Sequence, residues 1–347
     1  MESYRVTHFG QPLEAMREPN PEPTGASVLL RVHAAGVCHS DVHLWDGYFD
    51  LGGGRKLEVE NRLPLTLGHE TAGEVVAIGP EAEGVRIGDK RVIYPWIGCG
   101  ACGFCKRGAE HLCAKPAQLG IQRNGGYADH VLVPHPRYLL DYGNLPVSFA
   151  CTLACSGLTA YSALKRAGRL APDSPLLIIG AGGVGMAAVR LAEIVTGVKP
   201  VVADVSEEKL AAAEAAGAES VLDIRDSKAA GKALYAKTGG VVAAIDFVGA
   251  EPSFEFGQRA LRKGGKLIVV GLFGGAFTMP IPMLPMRAIA LEGSYVGSLA
   301  EMRELMALAR DGKVQPIPLS LRPLAQAGKT LEDLKAGRVV GRVVLEP

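Results

Sequence analysis

From Leu158 to Val270 short apolar runs alternate with longer amphipathic stretches. Leu158 to Leu170 reads as a helix, Pro175 to Ile179 as an apolar strand and Val184 to Thr196 as a second helix. A strand follows at Pro200 to Ala203, then an alanine-rich helix at Glu207 to Ala216, with further strands at Val241 to Val248 and Lys266 to Val270. Strands that alternate with helices predict an α/β unit built on a parallel, doubly wound sheet. The preceding chain has another texture. Val28 to His33 and Thr71 to Ile78 are strand-like, and Gly and Pro separate the apolar runs, so this part reads as β-rich and loop-rich. Asp46 to Pro64 is glycine-rich and charged without periodicity, and a loop that long inside a compact domain is often functional. After Ala290 come a helix, Ala300 to Arg310, and a strand-like tail, Gly341 to Leu345. The expected organisation is a first domain over 1–155, a second over 156–290, and a return of 291–347 to the first.

Composition narrows the function classes. The chain has 347 residues, 48% hydrophobic and 21% charged, the balance of a globular protein of about two domains. A net charge of +1 gives no electrostatic footprint for nucleic acid or an anionic membrane. Met1 to Pro12 lacks the basic and apolar regions of a secretory signal. The apolar stretch Leu176 to Val195 is broken by glycines and carries Arg190 and Glu193, which argues against a membrane span. These features predict a cytoplasmic protein that acts on a small molecule.

The run Gly180-Ala-Gly-Gly-Val-Gly185 fits the G-x-G-x-x-G pattern. Because it follows a predicted strand and opens a predicted helix, it reads as the phosphate turn of a Rossmann dinucleotide site. Gly180 permits the tight turn, Gly182 lets backbone N–H groups approach a pyrophosphate, and Gly185 lets the helix pack close to the sheet. Gly183 and Val184 begin the helix whose N-terminus favours an anion. Asp204 ends the next strand, where a carboxylate accepts from the ribose hydroxyls of NAD and repels the extra phosphate of NADP. Lys209, one turn into the following helix, is grouped with this site. The alternative is a structural glycine turn with Asp204 as a helix N-cap.

Seven cysteines are present, and Cys99, Cys102, Cys105 and Cys113 crowd together. Their spacing suits a closed tetrahedral zinc shell within a lobe over 95–115, a structural site with no open position. An iron–sulfur cluster and unrelated buried thiols are the alternatives. Three further elements lie outside the lobe: Cys38-His-Ser-Asp-Val-His43, Gly68-His69-Glu70 and Cys155 in Ala154-Cys-Ser-Gly-Leu-Thr159. Singly each is ambiguous. Together they offer two thiolates and an imidazole, the set used by open catalytic zinc sites.

Those segments, with LGHETAGEVVAIG, CSGLTAYSAL and GAGGVG in this order, resemble the zinc-containing alcohol dehydrogenases of the medium-chain dehydrogenase/reductase family over nearly the whole chain. The chain most resembles the shorter, tetrameric microbial and archaeal members that use NAD. The resemblance implies a GroES-like catalytic domain beside the Rossmann domain, two Zn²⁺ per subunit, NAD(H) and a homotetramer. It makes Cys38, His69 and Cys155 the catalytic zinc ligands, Asp41 the residue that orients His69, and Glu70 a carboxylate beside the metal. Ser40 and His43 match a proton relay, His39 and Arg342 contacts to the pyrophosphate, and Thr159 a residue against the nicotinamide. Trp45, Phe49 and Trp96 would wall an apolar substrate pocket, although core packing explains each of them equally well. Cys151 matches no role and reads as structural.

The implied reaction is oxidation of a primary or secondary alcohol (aliphatic, alicyclic or benzylic) to an aldehyde or ketone, and the reverse. Zinc would lend Lewis acidity to the hydroxyl, the alkoxide carbon would give its hydride to the nicotinamide, and Ser40 and His43 would carry the proton away. A polyol or amino-alcohol dehydrogenase of the same superfamily is the alternative, though such enzymes typically have a carboxylate where this chain has Cys155. Zinc-free quinone or enone reductases lack the cysteine lobe and the ligand set. A nonenzymatic NAD- and zinc-binding protein is the reading from another class.

Overall fold

The computed structural model describes residues 1–60 and 62–347. The chain forms two compact units: residues 1–48, 59–158 and 297–347, and residues 49–58 and 159–296.

The core of the first unit is a mostly antiparallel sheet. Its strand order is Leu139–Asp141, Lys90–Ile93, Glu70–Ile78, Val28–Gly36, Arg342–Glu346 and Leu319–Pro323, with His130–Val133 also paired to Val28–Gly36. The C-terminal strand therefore does return to the N-terminal sheet, pairing antiparallel with Val28–Gly36 through Val344 and Leu345. Alternation is weak in Val28–Gly36 because both faces are covered: all but Arg31 and His33 are buried. A smaller sheet joins Glu14–Arg17, Glu2–Val6 and Leu65–Thr66. The helical run 147–167 is long and apolar enough to cross a membrane, with a mean hydropathy of 1.4 over its most apolar window, but 89% of that window is buried in protein. Its apolarity is that of a core helix.

The second unit holds a six-stranded sheet in the order Ser220–Asp223, Pro200–Asp204, Leu176–Ile179, Val241–Asp246, Leu261–Val269, Ala290–Gly293. Every pairing is parallel. The order turns back between Leu176–Ile179 and Val241–Asp246, the switch point at which doubly wound sheets bind their ligands. Leu176 to Ile179 are fully buried, as a central strand covered on both faces must be. Helices Gly183–Thr196, Glu207–Ala215, Ser227–Thr238 and Glu251–Ala260 alternate with these strands.

The organisation differs from the expected one in three respects. The breaks lie at 158/159 and 296/297 rather than 155/156 and 290/291. The stretch from Asp46 to Pro64 is not all loop: Tyr48–Asp50 pairs with Lys56–Glu58, and residues 49–58 belong to the second unit instead of the first. Glycines allow this docking, since a Cβ on Gly52 would lie 2.6 Å from the Ala276 nitrogen and one on Gly274 would lie 2.5 Å from the Asp50 oxygen.

Candidate metal centres and cofactor site

The first centre begins with the helix His39–Asp46, which starts immediately after Cys38. Asp41 reaches back to accept from the Cys38 N–H at 2.9 Å and so fixes the turn that carries the thiol. The other side of the centre comes from the strand beginning at Glu70, preceded by His69. Cys155 lies on a π-helical turn, Leu153–Gly157, between the helices Val147–Thr152 and Leu158–Ala167. Such a widened turn is frequent at functional sites. Cys38 Sγ and Cys155 Sγ are 4.0 Å apart across 117 residues of sequence. Cys38, His69, Glu70 and Cys155 are all buried, and one ligand atom from each lies within 4.8 Å of the others.

A zinc ion fits this donor set. Two sulfurs each about 2.3 Å from one tetrahedral ion stand about 3.8 Å apart, close to the thiol separation found. His69 Nδ1 faces Asp41 Oδ1 at 3.2 Å as an ion-pair neighbour, and Nε2 points away from that carboxylate as the ring's other ligand atom; both nitrogens are buried and neither makes a hydrogen bond among the described residues. The thiols titrate as a pair: their mutual contact holds Cys38 well below the ordinary thiol range and pushes Cys155 well above it. Glu70 is buried, its carboxylate accepting the Ser156 N–H at 3.2 Å and forming an ion pair with Arg342. Burial pushes its carboxyl up to about 7 against the pull of the Arg342 guanidinium.

Asp41 accepts on both oxygens. Besides the Cys38 N–H it receives the Tyr127 hydroxyl at 3.0 Å and, more distantly, the Gly68 N–H at 3.4 Å, with His69 Nδ1 beside Oδ1 at 3.2 Å. Burial, then the Asp41 charge, push the Tyr127 phenol well above its usual value, so it keeps the proton it donates. Nothing local in the sequence singles Tyr127 out.

Ser40 and His43 sit one helical turn apart, partly buried, and the Ser40 oxygen is 3.8 Å from Cys38 Sγ. Burial and the neighbouring His43 lower His39 to about 4, so its imidazole is neutral at pH 7. Arg342 is engaged by Glu70. Trp96 is buried with its ring 5.3 Å from His69 and its N–H donated to the Ala154 carbonyl at 3.0 Å. Trp45 gives its N–H to the Gln11 carbonyl and lies under the Lys335 ammonium. Phe49 belongs to the second unit. Cys151 is fully buried and donates to the Ser148 carbonyl at 3.3 Å, the behaviour of a small core residue.

The second centre is the cysteine lobe. Cys102 Sγ lies 3.5 Å from Cys105 Sγ and 3.8 Å from Cys113 Sγ, and Cys99 Sγ lies 3.9 Å from Cys105 Sγ. These three separations match the edges of a tetrahedron that would close about a zinc ion, to within a few tenths of an ångström, and all four ligand atoms lie within 4.8 Å of one another. Backbone N–H groups of Cys99 and Lys115 both point at Cys113 Sγ at 3.3 Å. Backbone donors from Ala101 and Cys102 lower the Cys99 thiol to about 6. Behind the lobe the buried Glu110 accepts from Gly98 N–H at 3.3 Å, from the Tyr138 hydroxyl at 2.8 Å and from Arg137 at 2.5 Å.

In the second unit the glycine turn follows Leu176–Ile179 and opens the helix Gly183–Thr196, with Gly182 as N-cap. Gly180 has φ +91°, and a Cβ on Gly185 would lie 1.8 Å from the Gly180 oxygen. Both are glycine for the chain's own packing. Gly182 differs, because a Cβ there meets nothing within 4 Å. Asp204 is buried and accepts from Ala181 N–H at 2.7 Å and from Val205 and Ser206 N–H at 2.8 and 3.0 Å. It is not the helix N-cap: Ser206 is, accepting from the Lys209 N–H. Asp246 ends the strand across the switch point, and no local motif in the sequence marks it. It is buried and holds the following loop through Val248 N–H, Gly249 N–H and the Ser253 hydroxyl at 2.9, 3.0 and 2.8 Å.

Two family models match the chain, an alcohol dehydrogenase GroES-like domain over residues 24–142 and a zinc-binding dehydrogenase over residues 183–311. The NAD-dependent alcohol dehydrogenase of Sulfurisphaera tokodaii is 39% identical with full coverage of both chains. The chain belongs to the zinc-containing alcohol dehydrogenase family of the medium-chain dehydrogenase/reductases. Its family relatives also include the NAD-dependent alcohol dehydrogenase of Saccharolobus solfataricus, again 39% identical over the whole of both chains. Among solved structures, the alcohol dehydrogenase of Aeropyrum pernix matches with a TM-score of 0.90 and 32% identity, covering 100% of each chain. The GroES-like and Rossmann-type architecture expected from the motifs is that of the family.

Proposed function

We propose that this protein is an NAD-dependent alcohol dehydrogenase that oxidises primary or secondary alcohols and reduces the corresponding aldehydes and ketones. The observation that carries the reading is the convergence of Cys38, His69 and Cys155, drawn from three distant segments, on one buried point. In this reading those three residues hold the catalytic zinc, and Cys99, Cys102, Cys105 and Cys113 hold a structural one. The catalytic zinc supplies Lewis acidity to a hydroxyl or carbonyl oxygen and compensates the charge of two thiolates.

The chain's own residues do the rest. Asp41 fixes the His69 tautomer and ring orientation through Nδ1. Arg342 and the Ser156 N–H hold Glu70 in place beside the donor set. Ser40 takes the substrate's hydroxyl proton as it gives up its own, and His43, one turn on, takes up the relayed proton and releases it to water; a partly buried imidazole that is neutral at pH 7 suits that step. Gly182 leaves room for the pyrophosphate at the helix N-terminus, and the Asp204 carboxylate, already rigid, serves the ribose hydroxyls and excludes a 2′-phosphate. His39, Thr159, Lys209 and Arg342 are the remaining cofactor candidates. Trp96, beside His69, is the better supported wall of an apolar substrate pocket, with Trp45 and Phe49 secondary. In the cell the enzyme is cytoplasmic and a homotetramer.

The test is zinc analysis of the purified protein followed by NADH formation over primary, secondary, cyclic and benzylic alcohols, with sorbitol and threonine as contrasts. Two zincs per chain and turnover of the apolar alcohols are expected. A folded, zinc-loaded protein that reduces no NAD with any of them would overturn the proposal.

A further inference from the structure

Tyr127 enters through the backbone. Its N–H donates to the Leu67 carbonyl at 2.9 Å, and the N–H of Gly126 donates to the Gly68 carbonyl at 2.7 Å, so 126–127 runs beside the segment that leads into His69. The Tyr127 ring then crosses Gly68, where an added Cβ would stand 2.5 Å from Tyr127 Cδ1. Gly68, at φ +94°, is glycine for two reasons at once, its backbone conformation and this ring. The ring is fully buried, and its hydroxyl ends 3.0 Å from Asp41 Oδ2. That oxygen also takes the Cys38 N–H at 2.9 Å, while Oδ1 faces His69 Nδ1 at 3.2 Å.

We propose that Tyr127 is a positioning residue for the catalytic metal centre: its hydroxyl holds the Asp41 carboxylate in the one orientation that serves His69 and the Cys38 turn together. The inference rests on the reading of Cys38, His69 and Cys155 as that centre. A carboxylate has two oxygens and rotates about its last bond, so two donors on Oδ2 and an imidazole on Oδ1 fix its plane better than the imidazole alone. Partners one layer behind a metal-bound histidine set its orientation and hence the metal's affinity.

The experiment uses the zinc-loaded full chain and times zinc release to a chromogenic chelator. Two phases are expected, and Cys155→Ala identifies the catalytic one by losing it. Tyr127→Phe keeps the ring over Gly68 and removes only the hydroxyl. It should speed the catalytic phase by up to about tenfold, since it stands behind Asp41, whose own layer carries effects of about tenfold or more, and leave the lobe phase unchanged. Asp41→Asn tests the route: if Tyr127 acts through Asp41, adding Tyr127→Phe to Asp41→Asn should change release little further. Should Tyr127→Phe not fold, Tyr127→Leu, which likewise lacks the hydroxyl, takes its place with the same expected and overturning outcomes. An unchanged catalytic phase in Tyr127→Phe, or equal acceleration of both phases as general loosening would give, overturns the proposal. A Cys155→Ala protein that keeps both phases overturns the metal assignment instead.

Discussion

Arg342 and Glu70, 272 residues apart in the chain, meet as a buried ion pair beside Cys38 and Cys155. The guanidinium comes from the last strand of the first unit's sheet and the carboxylate from the strand after His69. Removing one partner of such a pair leaves an uncompensated buried charge and costs about 3–5 kcal/mol, whereas removing both charges costs far less. We expect Arg342→Met to lower unfolding stability in urea by up to that amount at alkaline pH and by less near neutrality, where the buried Glu70 carboxyl takes up a proton once the guanidinium is gone, and Arg342→Met with Glu70→Gln to recover most of it. Equal losses in the single and double variants would show that the pair is not the source of the cost.

Cys155→Ala deletes one of two thiols that lie 4.0 Å apart, in a side chain that is 4% exposed. The backbone of the π-helical turn needs no sulfur, so the fold should survive. Zinc content should fall from two to one per chain, and alcohol oxidation should drop by at least about a thousandfold, about 4 kcal/mol in the barrier. A variant that retains most of its turnover would remove Cys155 from the metal shell.

Gly182 and Gly185 are three residues apart and should respond in opposite ways. A Cβ on Gly185 collides with the Gly180 oxygen at 1.8 Å, so Gly185→Ala should destabilise the second unit strongly. A Cβ on Gly182 meets nothing, and its φ of −75° is open to alanine, so stability should change by less than about 1 kcal/mol. Its cost should fall on the cofactor instead, with the Kd for NADH, read by fluorescence titration, rising at least about tenfold. Unaltered NADH affinity in Gly182→Ala would separate this turn from the pyrophosphate.

Glu110 ties the cysteine lobe to Arg137 and Tyr138. Glu110→Ala strands the Gly98 N–H, about 1–3 kcal/mol for a buried group left without a partner, and leaves the Tyr138 hydroxyl with Arg137 as its one remaining partner. The urea midpoint should fall, and zinc should leave the lobe faster than in the parent while release from the other centre is unchanged. Acceleration at the other centre would place the effect elsewhere.

Local features of the chain announced much of this. Apolar runs flanked by turns marked Leu176–Ile179 and Pro200–Asp204 because these strands are covered on both faces. The edge strand Ser220–Asp223 is only half-buried, and the helix Ser227–Thr238 buries just Ala230 and Leu234, so neither carries enough apolar periodicity to be seen. The hairpin of Tyr48–Asp50 and Lys56–Glu58 is too short and too polar to show alternation.

Chemistry written into short spacings was fixed by the sequence alone: four cysteines that can close on one ion, a glycine pattern whose φ and packing demands are local, and Asp41 one turn from Cys38. What the sequence could not contain was distance. That Cys155 reaches Cys38, that Arg342 reaches Glu70, and that Tyr127 lies over Gly68 and on Asp41 follow from how sheet strands register and from a π-helical turn that reorients one side chain. Those contacts depend on many weak packing interactions across the whole unit, and no stretch of neighbouring residues encodes them.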